Sequence, residues 1–282
     1  MLRFLGSFFS KIQSQISVII ALSVYERERV ASDSPLGVWE VFVQPLQLLL
    51  FLIVIRVGLK VLASGASSPS LDQGSVGAEL YFNPFTFLVI GLSIVFLFRT
   101  VALKSINGLK LKAPLFYPRV KPIDILLASA LNDVRALASL SLGALVLGWC
   151  FTWSFRFDRP GLAFSVYFLT VIMAIGFGIL IAFVGQYIPA LKRIVKRILQ
   201  RVILWTSGIF FATFELAPQI RPLISWNPIL HGVELFRFAI NDSYPIPGIS
   251  FQYLLISALS CASFALILYR VNESMLLESS DD

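Results

Sequence analysis

The densest chemistry in the chain lies in twelve residues, WNPILHGVELFR, from Trp226 to Arg237. His231, Glu234 and Arg237 fall three positions apart, so a helix beginning after Pro228 carries all three along one face. Asn227 is placed to cap that helix, with Pro228 at its first position. These residue types allow different kinds of work. His231 beside a carboxylate is a candidate base. The three together are equally a self-satisfied polar cluster on a short buried helix. With Trp226, Asn227 and Pro228 they also form a candidate outer gate, a short helix dipping into the outer half of a membrane to close a pathway. The segment sits between apolar blocks, and charged or helix-breaking residues persist at membrane depth only where protein or water surrounds them. It therefore reads as an internal or interfacial element.

Other chemistry finds little support. A phosphate-cradling loop needs G-x-x-x-x-G-K-[ST], and the chain has no Gly-Lys dipeptide, so ATP hydrolysis by this chain is excluded. One histidine and two remote cysteines, Cys150 and Cys261, offer no metal-ligand spacing, and both cysteines read as small buried hydrophobes. His231 has no G-x-S-x-G partner. No catalytic residue, metal or cofactor is expected.

The elements that position these residues must be membrane helices. Apolar residues make up 57% of the 282 and charged residues 14%. A soluble domain has about 45–50% and about 25%. Spans of about 20 residues are expected near Val38–Leu59, Pro84–Leu103, within Ile123–Trp153, and near Leu162–Val184, Leu199–Phe214 and Ile249–Tyr269. Ahead of them, Leu5, Phe9, Ile12, Ile16 and Ile19 or Ile20 recur every three to four residues. That is the period of an amphipathic helix lying in a membrane interface. The short apolar run Ile16–Leu22 loosely mimics a cleaved signal, but the polar residues before it favour a retained helix. No internal repeat supplies pseudo-symmetry, so a two-fold path would need a second copy of the chain.

The formal charge of +7 follows the spans rather than any nucleic-acid surface. One set of connections holds Arg3, Lys11, Arg27, Arg29, Lys104, Lys110, Lys112, Arg119, Lys121, Lys192, Arg193, Lys196, Arg197 and Arg201. The opposite set holds only Lys60, Arg156, Arg159, Arg221 and Arg237. Both termini are therefore expected in the cytoplasm. Ser64–Gly77 reads as a flexible external loop. Leu103–Pro122 interleaves lysines with Leu109, Leu111, Leu115 and Phe116, suiting either anionic headgroups or a groove on a cytoplasmic partner. Arg56, in the outer half of the first span, either lines a polar passage or snorkels outward beside Lys60. Arg135 lies about 18 Å along a third span that starts at Ile123, near mid-membrane; if the span is Ala136–Trp153, it marks a boundary.

At several points the chain resembles the membrane permease of capsular-polysaccharide ABC exporters, within the type 2 exporter superfamily. Leu36-Gly37-Val38-Trp39 with Gln44-Pro45-Leu46 is similar to the family's start of the first span. Val120-Lys121-Pro122-Ile123-Asp124 resembles the start of its third. Gly208-Ile209-Phe210-Phe211, Pro218 and WNPILHGVELFR resemble the stretch between its fifth and sixth spans. Two departures stand out. Asn132 and Asp133 occupy the region where the family often has a glutamate, and Tyr25-Glu26-Arg27-Glu28-Arg29 is more acidic than the usual arginine-rich arm.

The resemblance implies an all-α polytopic permease forming a single domain over 1–282. It would have a cytoplasmic interfacial helix over 1–34, four spans within 38–184, and two within 199–269, with a re-entrant segment over 218–240. Two copies would enclose the path, each bound to a separate ATPase subunit that binds the ATP. Glu26, Arg27, Arg29, Lys110, Lys112 and Arg119 would meet that subunit. Arg56 and Arg135 would offset the charge of a lipid-linked, usually acidic polysaccharide. Periplasmic adaptor and outer-membrane export proteins are further implied partners. The alternatives are a type 2 permease for another cargo, such as O-antigen, teichoic acid or a drug; a membrane-embedded transferase acting on lipid-linked sugars; and a non-transporting scaffold.

Overall fold

The computed structural model describes residues 2–33, 81–108, 120–152 and 157–272. The expected first span, Arg56, Lys110, Lys112, Arg119 and the Arg29 side chain lie outside the described residues. Every regular element among the described residues is helical. They are α1 (Leu2–Asp33), α2 (Pro84–Gly108), α3 (Pro122–Thr152), α4 (Pro160–Tyr187), α5 (Pro189–Arg197), α6 (Ile203–Thr206), α7 (Arg221–Ile224), α8 (Pro228–Ile240) and α9 (Phe251–Val271). A π turn (Ile198–Val202) joins α5 to α6. A 3₁₀ turn (Thr213–Glu215) follows α6.

Proline opens five of the longer helices, where its missing N–H has no intrahelical partner to lose and its fixed φ suits the first turn. Among the described residues, four helices are long and apolar enough to cross a membrane: Pro84–Asn107, Ile123–Gly143, Pro160–Tyr187 and Phe251–Val271. Their burial differs sharply. In its most apolar window α2 is 78% buried, against 22% for α9, so α2 forms the centre and α9 the periphery.

α4 packs between α2 and α9, and its glycines set the spacing. A Cβ on Gly178 would stand 2.3 Å from the Cβ of Ser105 on α2, and one on Gly176 would stand 2.7 Å from the Cys261 backbone of α9. Small residues let helix backbones approach closely where lipid supplies no hydrophobic drive to associate. The same crossing leaves Cys261 half-buried rather than sealed in the core.

Polar pairs tie the ends together. Lys104 on α2 donates to Asp133 on α3 at 2.5 Å, with the aspartate 1% exposed. Gln15 of α1 donates to Asp124, and Asn132 donates to the Ser23 carbonyl at 2.7 Å. Both bonds advance equally along the two helices, so α1 runs parallel to the first half of α3. Ser23 is buried against α3, while Ile16, Ile20 and Val24 leave an exposed apolar stripe on another face. α1 is a single helix of 32 residues.

The expected fifth span takes a different form. The helix runs from Pro189 through the π turn to Thr206 and stops there, so Ser207–Phe214 is not a continuation of it. Gly208 marks the break at φ +74°, where an added Cβ would meet Leu230 at 2.6 Å. Only glycine fits that turn.

Candidate functional site

α8 starts as the sequence predicts. The Asn227 side chain accepts from the Ile229 amide at 3.0 Å, and Pro228 follows it. The same side chain does a second job. Its amide donates to the Thr206 carbonyl at 3.1 Å and toward Ser207 Oγ at 3.4 Å, joining the start of α8 to the end of α6. One residue thus satisfies an orphan donor of one helix and an orphan acceptor of another.

His231 is 3% exposed and fully engaged. The Ser250 amide donates to Nδ1 at 3.0 Å, so Nδ1 is the bare nitrogen, and Nε2–H donates to the Ser225 carbonyl at 2.8 Å. The ring lies 4.7 Å from that of Tyr253, whose hydroxyl donates to the Trp226 carbonyl at 2.6 Å. His231 therefore fastens α8 to the start of α9. Its partners are these serines, not Asn227 or Glu234, and it stands apart from the Glu234–Arg237 pair. With both nitrogens held by backbone, the ring positions rather than reacts.

Glu234 and Arg237 form an ion pair at 2.9 Å, with both side chains at 0% exposure. Thr213 supplies the carboxylate with its hydroxyl at 3.0 Å and its amide at 3.4 Å. The guanidinium donates to the carbonyls of Phe211 and Ile209 at 3.3 Å and of Phe87 at 3.4 Å. It also lies 3.5 Å from the centroid of the Phe87 ring, a cation–π contact in a dry setting. Arg237 Nε has no acceptor among the described residues. Tyr81, Phe214 and Tyr244 close over this region with edge-to-face contacts at 5.4–5.9 Å.

This pair explains why the chain can leave the helix after Thr206 inside an apolar core. Buried carbonyls released from a helix need new donors. Arg237 donates to two of them and anchors the turn to α2. Arg221 repeats the device, donating to the Leu216 carbonyl at 3.0 Å and the Phe214 carbonyl at 3.1 Å. The polar cluster is a staple, and its counterion is built in.

α8 has 13 residues, about 20 Å by the helical rise. That is short of the roughly 30 Å hydrocarbon layer. Its last turn sits beside the first residues of α4, where the Arg159 amide donates to the Ala239 carbonyl at 2.9 Å. Gly232 reaches Ile94 and Thr170, each ten positions inside its own span. The helix thus enters the bundle from the Arg159 end and stops part-way along it. Trp226, at its inner end, is 68% exposed on the outside of the protein.

Those of the remaining expected residues that are described are not gathered here. Glu26 is half-buried and Arg27 exposed on α1. Arg135 is exposed on α3, which runs unbroken from Pro122 to Thr152 past it. Gly208, Thr213, Phe87 and Tyr244 complete the cluster without having been singled out for it. Gly208 carried the one available signal, a glycine inside an apolar run.

No family model matches the chain. It is 29% identical over 194 residues to the polysialic acid transport protein KpsM of Escherichia coli, covering 68% of this chain and 75% of that protein. It is 22% identical over 268 residues to the capsule polysaccharide export inner-membrane protein BexB of Haemophilus influenzae, covering 94% of each. It is 25% identical over 239 residues to the capsule polysaccharide export inner-membrane protein CtrC of Neisseria meningitidis serogroup B, covering 82% of each.

Proposed function

We infer, from this chain's homology to capsule polysaccharide export inner-membrane proteins, that it is the membrane subunit of an ABC exporter carrying lipid-linked polysaccharide across the bacterial inner membrane. The observation carrying the reading is the match to BexB, which covers 94% of both chains. The chain is a permease and not itself an enzyme. A separate subunit binds and hydrolyses the ATP.

The finer picture assembles around that reading. Four long apolar helices, the apolar run over 38–59 and the broken helix Pro189–Thr206 make six passages per copy. Two copies enclose the path. The excess of lysine and arginine in alternate connections supports both termini in the cytoplasm. In that orientation α8 is a re-entrant helix entering from the periplasmic side, and its buried staple holds the outer end of the path in one shape. Trp226, Asn227, Pro228, His231, Glu234 and Arg237 then form the outer gate as a framework rather than as a substrate contact. Arg56 and Arg135 are the cations offered to an acidic cargo. Glu26, Arg27, Arg29, Lys110, Lys112 and Arg119 meet the ATPase, with α1 passing its motion to α3 through Gln15–Asp124 and Asn132–Ser23. Periplasmic adaptor and outer-membrane proteins would receive the polymer. O-antigen, teichoic acid or a drug remains the alternative cargo class, and a membrane-embedded transferase acting on lipid-linked sugars is a remoter alternative.

Deleting the gene tests this directly. Polymer should accumulate inside the cell while surface display is lost, and a tagged copy should co-purify with an ATP-hydrolysing subunit. Undiminished surface polysaccharide in the deletion strain would overturn the proposal.

A further inference from the structure

The helix that runs from Pro189 through the π turn to Thr206 carries Arg193, Arg197, Arg201 and Trp205 at steps of four. All four are exposed, Trp205 at 68%. A step of four overshoots one turn of α-helix, about 3.6 residues, and falls short of a turn of the π form, whose bonds reach one residue further. The π turn at Ile198–Val202 therefore reverses the drift and keeps the four side chains in one row. Ile194, Ile198 and Val202 make an exposed apolar row beside it. The opposite face is the packed one, with Leu199 and Ile203 in the core.

Two contacts show how the row lies. Lys196 donates to Asn107 at 2.6 Å, at the end of α2, and Ile209 lies against Gly91, well back along the same helix. The row therefore runs inward along the spanning direction, about 18 Å from Arg193 to Trp205 by the helical rise. Asn227, which donates to the Thr206 carbonyl, brings Trp226, a second exposed indole, to the inner end. No Asp or Glu occurs between Asp158 and Glu215, and none of the three arginines has a carboxylate partner among the described residues.

Resting on the export reading above, we propose that this row lines the passage and binds the acidic polysaccharide itself. Arg193, Arg197 and Arg201 hold successive anionic groups of the polymer, and Trp205 and Trp226 offer flat faces to its sugar rings. Depth narrows the occupant. Charges at membrane depth face water or protein rather than lipid, and Arg201 stands more than a turn further in than Lys196. A lipid headgroup lies in one plane of the membrane and meets a single step of a row that runs inward. A neutral glycan gives the arginines nothing to pair with. A second copy packed directly on this face across a two-fold axis would set arginines against arginines. An extended polyanion meets every step, because the guanidinium fork suits carboxylate and phosphate alike.

The purified full-length protein, with the partners that co-purify, is titrated in nonionic detergent with a polysialic acid oligosaccharide or with dextran of matched length. Binding is read by quenching of tryptophan fluorescence. Polysialic acid should bind and dextran should not. Arg193→Gln, Arg197→Gln and Arg201→Gln should each weaken binding about threefold, and the triple variant on the order of thirtyfold. Arg201→Lys, which keeps the charge, should weaken it less than Arg201→Gln. Trp205→Leu should diminish the quenching. Arg159→Gln makes the same change of charge at the opposite end of the bundle and should leave binding unchanged. All these positions are exposed, and monodisperse elution of each variant verifies its fold. Absent polysialic acid binding, equal binding of dextran, an equal loss in Arg159→Gln, or a triple variant that changes oligomeric state while binding as before would overturn the proposal. The export reading itself is decided by the deletion strain, which this titration does not use.

Discussion

Glu234→Gln removes one charge from the centre of the protein and leaves Arg237 in place. Its guanidinium would then rest on three neutral carbonyls at 3.3–3.4 Å and on the Phe87 face. Stranding one member of a buried ion pair costs about 3–5 kcal/mol, because the remaining charge keeps its desolvation penalty and loses its counterion. Arg237→Gln should cost a similar amount, since the carboxylate would retain neutral partners such as the hydroxyl and amide of Thr213 but no counterion. The double variant removes both charges, so it should be no worse than either single change. The resulting coupling is at least about 3 kcal/mol, at or above the upper end for contacting residues. Followed by tryptophan fluorescence in detergent, each single variant should lower the apparent Tm by on the order of 10 °C, at about 2–4 °C per kcal/mol. Membrane insertion should persist while export falls. Single variants within about 3 °C of the wild type, or a double variant showing the sum of both losses, would refute the reasoning. The pair would then be hydrated and would line a wet passage.

Two further outcomes follow from the packing. Gly178→Val would force carbon into space already held by Ser105 Cβ at 2.3 Å and the Ala102 carbonyl at 2.8 Å, so it should cost at least the 1–3 kcal/mol typical of overpacking. Gly143→Val, with nothing among the described residues within 4 Å, should elute like the wild type in size-exclusion chromatography, and identical profiles for the two would count against the close α2–α4 crossing. Asp124→Ala removes the acceptor for Gln15 and the Lys121 amide, which should loosen α1 by about 1–2 kcal/mol. Hydrogen exchange over Gln13–Glu28 should accelerate roughly tenfold, and unchanged protection there would show that α1 is held by something else.

The long apolar helices were legible because lipid leaves a composition signature that needs no tertiary information. The start of α8 was equally legible, because a cap and a first-position proline act within three residues. The end of the fifth apolar run was not. GIFFATF, Gly208–Phe214, is as apolar as any span, and hydropathy alone continues the helix through it. What stops the helix is Arg237, 28 positions beyond Ile209, which supplies the donor that the released carbonyls need. Spacing put His231, Glu234 and Arg237 on one face, yet it could not tell which of them pair. Serine backbones on two other segments claimed the histidine.

The sequence by itself determined the solvent of this protein, the rough placement of its long apolar helices, the sidedness expected of its basic connections, and the family it resembles. These are local or additive properties: hydropathy sums over twenty residues, charge counts over a loop, caps act within a turn. Only the tertiary structure decided that the cluster in WNPILHGVELFR turns inward as a staple and that α4 touches its neighbours through bare glycine backbone. A buried charge takes its role from whatever carbonyls surround it, and those come from segments that meet only when the chain has folded.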